Sequence, residues 1–265
     1  MERRIPTARF FDLDLIADHT KNLPHMLATP EVFQEHMRRL QVKRTDQIVC
    51  YDSHGIFSAP RVAWNLRYFG APNVRVLNGG LKKWMLENRV IERGTPKEVP
   101  VDKEGYGYDY KSSAETEGMC ISEIDEMHKL AYYVTSEVSH TQIIDARSAA
   151  RFNSEVDEPR AGLRRGHVSG AKNLFFGDLV DPVSGCYKSE KEIAKLFHTK
   201  GLDTTTTTVA YCGSGVSACI VELALQLLGN DKVMVYDGSW SEYGQIPEPD
   251  FKHGTRSGSW NTPSK

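Results

Sequence analysis

The chain has 265 residues, a length that suits one large domain or two of moderate size. Hydrophobic residues make up 40% of it and charged residues 26%, which excludes a disordered chain, and the net charge of -2 argues against a general nucleic-acid binder. No apolar run approaches the roughly 18 residues of a membrane span, and the N-terminus lacks the apolar core of a secretory signal. The five cysteines include no Cys-x-x-Cys pair, so we expect free thiols in a reducing compartment.

Short runs rich in Val, Ile and Tyr predict the buried strands of a parallel sheet. These runs cover residues 47–51, 74–77, 142–145, 207–211 and 233–236. A helix is predicted over 58–69, with Ser58 as its cap and Gly70 at its end, and a second, strongly apolar helix is predicted over 217–228. Strands that alternate with helices in this way indicate an α/β fold.

The two halves of the sequence repeat each other. Asp52 and Cys212 each follow a predicted strand and precede a glycine-containing turn and a helix, and they lie 160 positions apart. Gly70 and Gly229, which end those helices, are 159 positions apart. We therefore predict two copies of one α/β domain joined by a non-periodic segment. The predicted organisation is a first domain over residues 1–93, a linker over 94–118, a second domain over 119–250 and a flexible tail over 251–265.

The loop after the fourth predicted strand carries the clearest sign of chemistry. It begins with Cys212 and contains Gly213 and Gly215 before the apolar helix starts. Glycines let successive backbone amides point inward as an anion cradle, and a helix N-terminus adds about half a positive charge. Both favour the thiolate of Cys212, against the alternative of a small buried hydrophobic residue. A phosphatase loop of the form C-x5-R is disfavoured, because the residue six positions after the cysteine is Ala218.

Further motifs accompany this loop along the chain. They are Ser58-Ala-Pro-Arg61, Asn78-Gly-Gly-Leu81, Asp145-Ala-Arg147, Glu158-Pro-Arg160, Gly166-His-Val-Ser-Gly-Ala171 and Tyr236-Asp-Gly-Ser-Trp240. Together with Cys212-Gly-Ser-Gly-Val-Ser217 they resemble the tandem-rhodanese sulfurtransferases, and within them the members that use 3-mercaptopyruvate. The resemblance implies two tandem rhodanese-like domains, each a mostly parallel sheet flanked by helices. The first domain is expected to be inert, because Asp52 stands where the second has its nucleophile.

The resemblance also implies an activity. The Cys212 thiolate would take sulfur from 3-mercaptopyruvate, release pyruvate and keep the sulfur as a persulfide. A thiol acceptor, such as thioredoxin or a small thiol, or else cyanide would then remove it. Ser214, His25 and Asp14 match a relay that moves protons near the cysteine, although a loop histidine such as His25 is often an ordinary surface residue.

By the same resemblance, Arg151 and Arg160 bind the substrate, and arginine suits a carboxylate because it can donate two parallel hydrogen bonds. The loop residues expected to contact substrate are Gly213, Gly215, Val216 and Ser217. No metal or organic cofactor, nucleic acid or membrane is implied. Two alternatives stay open, a thiosulfate:cyanide sulfurtransferase and a non-catalytic persulfide carrier or interaction protein. The former is disfavoured because relatives that prefer thiosulfate usually carry basic residues in this loop, which here is neutral.

The first copy departs from the second at its beginning. Asp145 lies 26 residues before Ala171, whereas the counterpart Ala8 has only seven residues before it. We therefore expect the first domain to lack its opening strands, as a short isoform, a mis-started gene model or a lineage-specific truncation would. We expect a cytoplasmic location for this form and a mitochondrial one for a longer form with a targeting peptide.

Overall fold

The structure is a computed structural model that describes residues 3–95 and 107–247. The strands are β1 (Arg3–Arg4), β2 (Ile48–Cys50), β3 (Val74–Val76), β4 (Glu92–Arg93), β5 (Cys120–Ile121), β6 (Gln142–Asp145), β7 (Ala171–Asn173), β8 (Thr208–Tyr211) and β9 (Val233–Tyr236). The helices are α1 (Pro30–Leu40), α2 (Ala59–Tyr68), α3 (Gly80–Leu86), α4 (Ala114–Glu117), α5 (Ile124–Thr135), α6 (Ala149–Phe152), α7 (Glu190–Thr199), α8 (Ala218–Leu227) and α9 (Ser239–Tyr243), with a 3-10 turn at Phe176–Leu179. All five predicted strands and both predicted helices are present, within one residue at either end.

Two parts of the predicted organisation fall outside this description. The predicted tail, 251–265, and residues 96–106 of the predicted linker lie outside the described residues. Among the helices of the described ranges, none combines the length and the apolar character that crossing a membrane requires.

The second domain is built on one parallel sheet with the strand order β5-β9-β8-β6-β7. Its central strand, β8, has all four residues buried. This position explains the continuous apolar run of β8, since a central strand of a parallel sheet is covered on both faces. The helix that follows, α8, is buried along most of its length and covers the sheet. Cys212, which follows β8, therefore lies at the C-terminal edge of the sheet, next to its central strand.

The first domain has smaller sheets. Strands β2 and β3 pair in parallel, and β1 and β4 pair antiparallel. Within residues 3–95 the parallel sheet thus has two strands, against five in the second domain. Val49 of β2 is 56% exposed, whereas its counterpart in β8, Val209, is fully buried. The face of β2 that carries Val49 is therefore less covered than the equivalent face of β8.

An aromatic cluster forms the core of the first domain. Phe33 of α1 stacks on Phe69 with ring centroids 4.2 Å apart, and Tyr110 packs edge-on against Phe33 at 5.3 Å. Tyr110 is fully buried and its hydroxyl donates to the Val42 carbonyl at 3.0 Å. This part of the predicted linker therefore packs into the first domain.

Equivalent hydrogen bonds confirm the internal repeat. In each domain a tyrosine lies at the end of the strand that leads into the loop, and its hydroxyl accepts a backbone amide from a distant segment. The carbonyl of the residue after this tyrosine accepts an amide from a helix that follows the next strand. The pairs are Ile5–Tyr51 at 3.1 Å with Val168–Tyr211 at 3.0 Å, and Leu81–Asp52 at 2.9 Å with Trp240–Cys212 at 3.0 Å. The two domains thus share both sequence motifs and the bonds that these motifs make.

The domains meet through equivalent helices, because α2 packs against α8. Each domain also extends a segment to the other. The Leu27 amide donates to Asp237 Oδ2 at 2.8 Å, and the Tyr187 amide donates to Asn78 Oδ1 at 2.8 Å. Since Asn78 and Asp237 occupy corresponding positions after β3 and β9, the exchange is reciprocal.

The start of α2 differs from the prediction, which assigned the cap to the side chain of Ser58. Ser58 occupies the cap position, but its side chain makes no capping hydrogen bond. The carboxylate of Asp52 accepts five backbone amides at 2.9 to 3.0 Å instead, and the donors are His54, Gly55, Phe57, Ser58 and Ala59. A full negative charge satisfies the otherwise orphaned amides of the helix start better than a neutral hydroxyl does.

We predict that Asp52→Ala lowers the free energy of unfolding by about 2 kcal/mol, because five amides lose a charged acceptor. Urea denaturation would measure the change. Asp46→Ala is the matched control, since the Asp46 carboxylate accepts one backbone amide, from Lys43, in an exposed turn. Equal losses in the two variants would contradict the assignment of the Asp52 carboxylate as the support of this loop.

Candidate active site

The predicted nucleophile lies where the central strand of the second sheet ends. Cys212 follows β8 directly, and α8 begins at Ala218, so the loop connects a strand to a helix at the C-terminal edge of a parallel sheet. Open α/β sheets bind their ligands at this edge. Cys212 is 2% exposed, so its sulfur is largely shielded from bulk water.

The segment after β9 holds the backbone of this loop in place. Ser239 Oγ accepts the Cys212 amide at 3.2 Å, and the Trp240 amide donates to the Cys212 carbonyl at 3.0 Å. The amide and the hydroxyl of Ser241 both donate to the Gly213 carbonyl, at 2.9 and 2.6 Å. Ser239 and Ser241 are themselves buried. The nucleophile is therefore fixed by two neighbouring strand ends of the same sheet.

The loop around Cys212 presents a set of backbone amides to an anion. The equivalent loop of the first domain indicates which amides these are, because five amides there donate to the Asp52 carboxylate. At an offset of 160 positions they correspond to the amides of residues 214, 215, 217, 218 and 219. Within the described parts of the chain, the first four of these donate to no other backbone or side-chain acceptor. They are available to a negative charge on the side chain of Cys212.

Three of the residues predicted to act with Cys212 form a continuous chain of hydrogen bonds. His25 Nδ1 lies 3.0 Å from Ser214 Oγ, and His25 Nε2 lies 3.0 Å from Asp14 Oδ1. Asp14 and His25 come from the first domain and Ser214 from the second. Because an ionised carboxylate can only accept, the network assigns the imidazole proton to Nε2 and leaves Nδ1 to accept the Ser214 hydroxyl.

The surroundings of His25 favour its neutral form. Burial lowers the pKa of the imidazole below its ordinary value of 6.5, and the cations of Arg160 and Arg61 act in the same direction. The carboxylate of Asp14 opposes them. The side chain of Asp14 is 84% exposed, so water screens its charge and weakens its effect on the ring.

The two arginines predicted to bind substrate border the loop at Gly213. A β-carbon at this position would lie 3.1 Å from a guanidinium nitrogen of Arg151 and 3.8 Å from one of Arg160. A side chain at 213 would therefore press against the Arg151 guanidinium, and glycine here lets two positive charges lie beside the residue that follows the cysteine. Glu158 holds the Arg151 guanidinium through both of its carboxylate oxygens.

Arg147 supports this pair, and the sequence analysis gave it no role. It is buried, and its guanidinium binds Asp145 at 2.5 Å, Glu158 at 2.7 Å and the Gly166 carbonyl at 2.7 Å. It thereby fixes the carboxylate that holds Arg151. The signal in the sequence is an arginine two positions after the aspartate that ends a buried strand.

Of the other predicted substrate contacts, Gly215 has a φ of +77°, which glycine adopts without strain. Val216 and Ser217 are partly buried between Gly215 and α8, and Ser217 makes no side-chain capping bond to the helix. Their contact with substrate stays a prediction.

Comparisons with known proteins identify the family of the chain. The profile of the rhodanese-like domain matches residues 1–87 and 131–245. The chain is similar to the 3-mercaptopyruvate sulfurtransferase of Escherichia coli (strain K12), with 40% identity over 240 residues that cover 91% of this chain and 80% of the relative. It is similar to that of Homo sapiens, with 36% identity over 251 residues that cover 94% and 80%.

Two solved structures have the same fold over most of their length. SseA from Escherichia coli, described as a 3-mercaptopyruvate sulfotransferase with the rhodanese fold, superposes with a TM-score of 0.75 and 40% identity, covering 91% of this chain and 84% of that one. Tum1 from Saccharomyces cerevisiae gives a TM-score of 0.81 and 32% identity, covering 91% and 80%.

We predict that the His25 imidazole titrates below pH 6.5 and is neutral at pH 7. Asp14→Asn removes the charge that raises this pKa, so the titration midpoint moves further down. Side-chain NMR across a pH series would measure both, with His25→Gln to identify the resonance. A midpoint above 6.5, or an upward shift in the Asn variant, would contradict the described surroundings of the ring.

Proposed function

This chain belongs to the rhodanese-like family and is a sulfurtransferase, and we propose that it takes sulfur from 3-mercaptopyruvate through a persulfide on Cys212. One observation carries the proposal: a buried cysteine begins a loop in which, within the described residues, four amides have no other acceptor and Ser214 starts the hydrogen-bonded chain to His25 and Asp14. The similarity to 3-mercaptopyruvate sulfurtransferases over more than nine-tenths of the chain supports it.

The first half of the reaction loads the enzyme. The Cys212 thiolate attacks the sulfur of 3-mercaptopyruvate, and an S–S bond forms as the C–S bond breaks. The electron pair of that bond leaves with the carbon as pyruvate enolate, which takes up a proton to give pyruvate. The anionic persulfide stays in the amide cradle, where oriented donors stabilise charge without reorganisation.

The relay supplies and stores the proton. The Ser214 hydroxyl takes the proton of the substrate thiol while it passes its own to Nδ1 of the neutral His25 imidazole. Asp14 holds the opposite ring nitrogen and stabilises the imidazolium that forms. The same path in reverse returns the proton to the enolate carbon. These proton transfers require that His25 is neutral before the reaction, and the lowered pKa of its imidazole keeps it neutral.

The arginines orient the substrate. Arg151 and Arg160 flank Gly213 and offer guanidinium donors for the carboxylate and the keto oxygen of a 2-oxo acid. Fixing the acid end places the sulfur at the other end of the molecule over Cys212. In thiosulfate the anionic sulfonate group is bonded directly to the transferred sulfur, so arginines spaced for a 2-oxo acid fit it less well and we expect it to be a lesser donor.

The second half of the reaction unloads the enzyme. An acceptor thiolate or cyanide attacks the outer sulfur of the persulfide, the S–S bond breaks, and the Cys212 thiolate is restored. We propose a small thiol or thioredoxin as the thiol acceptor, from which a further thiol releases hydrogen sulfide. We also propose the cytoplasm as the location of this form, while one relative, from Arabidopsis thaliana, is named as mitochondrial.

We predict that the purified protein releases pyruvate from 3-mercaptopyruvate in the presence of a thiol, and does so faster than it desulfurates thiosulfate. Cys212→Ser abolishes both reactions. Pyruvate and sulfide assays would measure them, and mass spectrometry of the donor-treated protein would detect one added sulfur. Cys219→Ser is the control, because Cys219 is fully buried on α8. A persulfide that forms without turnover would support a carrier instead of an enzyme.

We predict that Ser214→Ala and His25→Gln each lower kcat by about 10²-fold, with smaller effects on KM, because both remove proton transfer and leave the arginines in place. The double variant loses little more than either single variant, since the two residues act as a unit. Steady-state kinetics on all four proteins would close the cycle. Multiplicative losses would contradict a shared proton path.

A further inference from the structure

Arg61 of α2 lies fully buried where the two domains meet. Its guanidinium makes three polar contacts, all to residues outside its own helix. It binds Asp237 Oδ1 at 2.5 Å, the His25 carbonyl at 2.9 Å and the Gly215 carbonyl at 3.4 Å. One cation thus joins the main chain of the relay histidine to the main chain of the cysteine loop.

We propose that Arg61, together with Asp237, is a positioning residue that sets the distance between the His25 imidazole and the Ser214 hydroxyl. This inference rests on the proposed function, because it concerns the relay of that reaction. A side chain of the first domain thereby has a role in the chemistry of the second domain.

The pair holds the main chain of His25 and of the residues that follow it. Arg61 binds the carbonyl of His25, and Asp237 Oδ2 accepts the amide of Leu27 two residues later at 2.8 Å. His25 has a φ of +60°, a backbone conformation that a non-glycine residue keeps only when its surroundings impose it. The ion pair supplies two contacts to the main chain directly after this strained residue.

The pair also contacts the main chain next to Ser214, whose hydroxyl is the partner of the His25 imidazole. Arg61 contacts the carbonyl of Gly215, the residue after Ser214, and the approach is so close that a β-carbon at 215 would lie 2.7 Å from Arg61 Nη1. Asp237 directly precedes the segment whose Ser239 hydroxyl accepts the Cys212 amide. The same ion pair therefore contacts the main chain next to the His25 imidazole and the Ser214 hydroxyl, and it adjoins the segment that holds the Cys212 loop.

Arg61 affects His25 in a second way, because its positive charge changes the pKa of the imidazole. The charged groups that face the ring are Asp14 from its own segment, Arg160 from the loop after α6 and Arg61 from α2. Both arginines lower the pKa of the imidazole. Loss of the Arg61 charge therefore raises that pKa, and His25 becomes protonated at a higher pH than in the wild type.

A matched control lies on the same helix. Arg67 also crosses the interface, where it binds the buried carboxylate of Glu222 on α8 at 3.1 Å. It contacts none of the relay residues. Arg67→Gln therefore leaves a buried carboxylate without its cation, as Arg61→Gln does, but spares the position of His25.

The experiment compares Arg61→Gln, Arg61→Lys and Arg67→Gln with the wild type in 3-mercaptopyruvate turnover across a pH series. We expect Arg61→Gln to lower kcat about 10- to 100-fold with KM changed little, because misplacement of a reacting group by about 1 Å costs this much. The acid limb of kcat/KM should move to higher pH. Arg61→Lys keeps the charge, so the acid limb should stay and kcat should recover in part. Arg67→Gln should lower only the melting temperature.

Several results would overturn the inference. Wild-type kcat in Arg61→Gln, or an equal kcat loss in Arg67→Gln, would reduce Arg61 to an ordinary interface residue. If Arg61→Gln proves insoluble, the double variant Arg61→Gln with Asp237→Asn removes both charges and tests the same point, and wild-type kcat there would overturn it too. Failure of the proposed function is seen separately, as absent wild-type turnover or as a His25→Gln variant with wild-type kcat.

Discussion

An ion pair between Arg61 of the first domain and Asp237 of the second lies buried at the boundary of the two domains. Moving two such charges out of water costs several kcal/mol for each ion unless each meets its partner and further hydrogen bonds. Here Arg61 also binds two carbonyls and Asp237 also binds an amide. Both charges therefore have their partners only when the two domains are joined. Assembly of the site and association of the domains are therefore the same event.

The reciprocal exchange of segments brings different residues to the two equivalent loops. At the loop of the first domain, a β-carbon on Gly55 would lie 2.6 Å from the α-carbon of Gly185, so main chain fills the place where a ligand would enter. At the loop of the second domain the corresponding position, 160 residues earlier than Gly185, is His25. The first loop thus contacts main chain at this place, and the second contacts a histidine side chain at the equivalent place.

The elements of the fold were predictable from local pattern, since the strands are short apolar runs and α8 is strongly apolar. The Cys212 loop was predictable because strand, glycines and helix follow each other directly in sequence. Asp14 and His25 were predictable only by resemblance, because nothing local links them to a loop nearly 190 positions away. The capping by Asp52 was missed because a side chain that reaches six or seven residues ahead leaves no short-range signature. The contacts of Arg61 depend on how two domains pack, which no local pattern encodes.

The side chain of Asp52 resembles a cysteine persulfide in its connectivity, with one atom bonded to the β-carbon and a terminal atom that carries negative charge. Its oxygens are two bonds from the β-carbon, as the outer sulfur of a loaded Cys212 would be, although the bonds to sulfur are longer. Five amides already converge on those oxygens. The first repeat thus holds a carboxylate at the position where, in the proposed reaction, the second repeat would carry a charged persulfide.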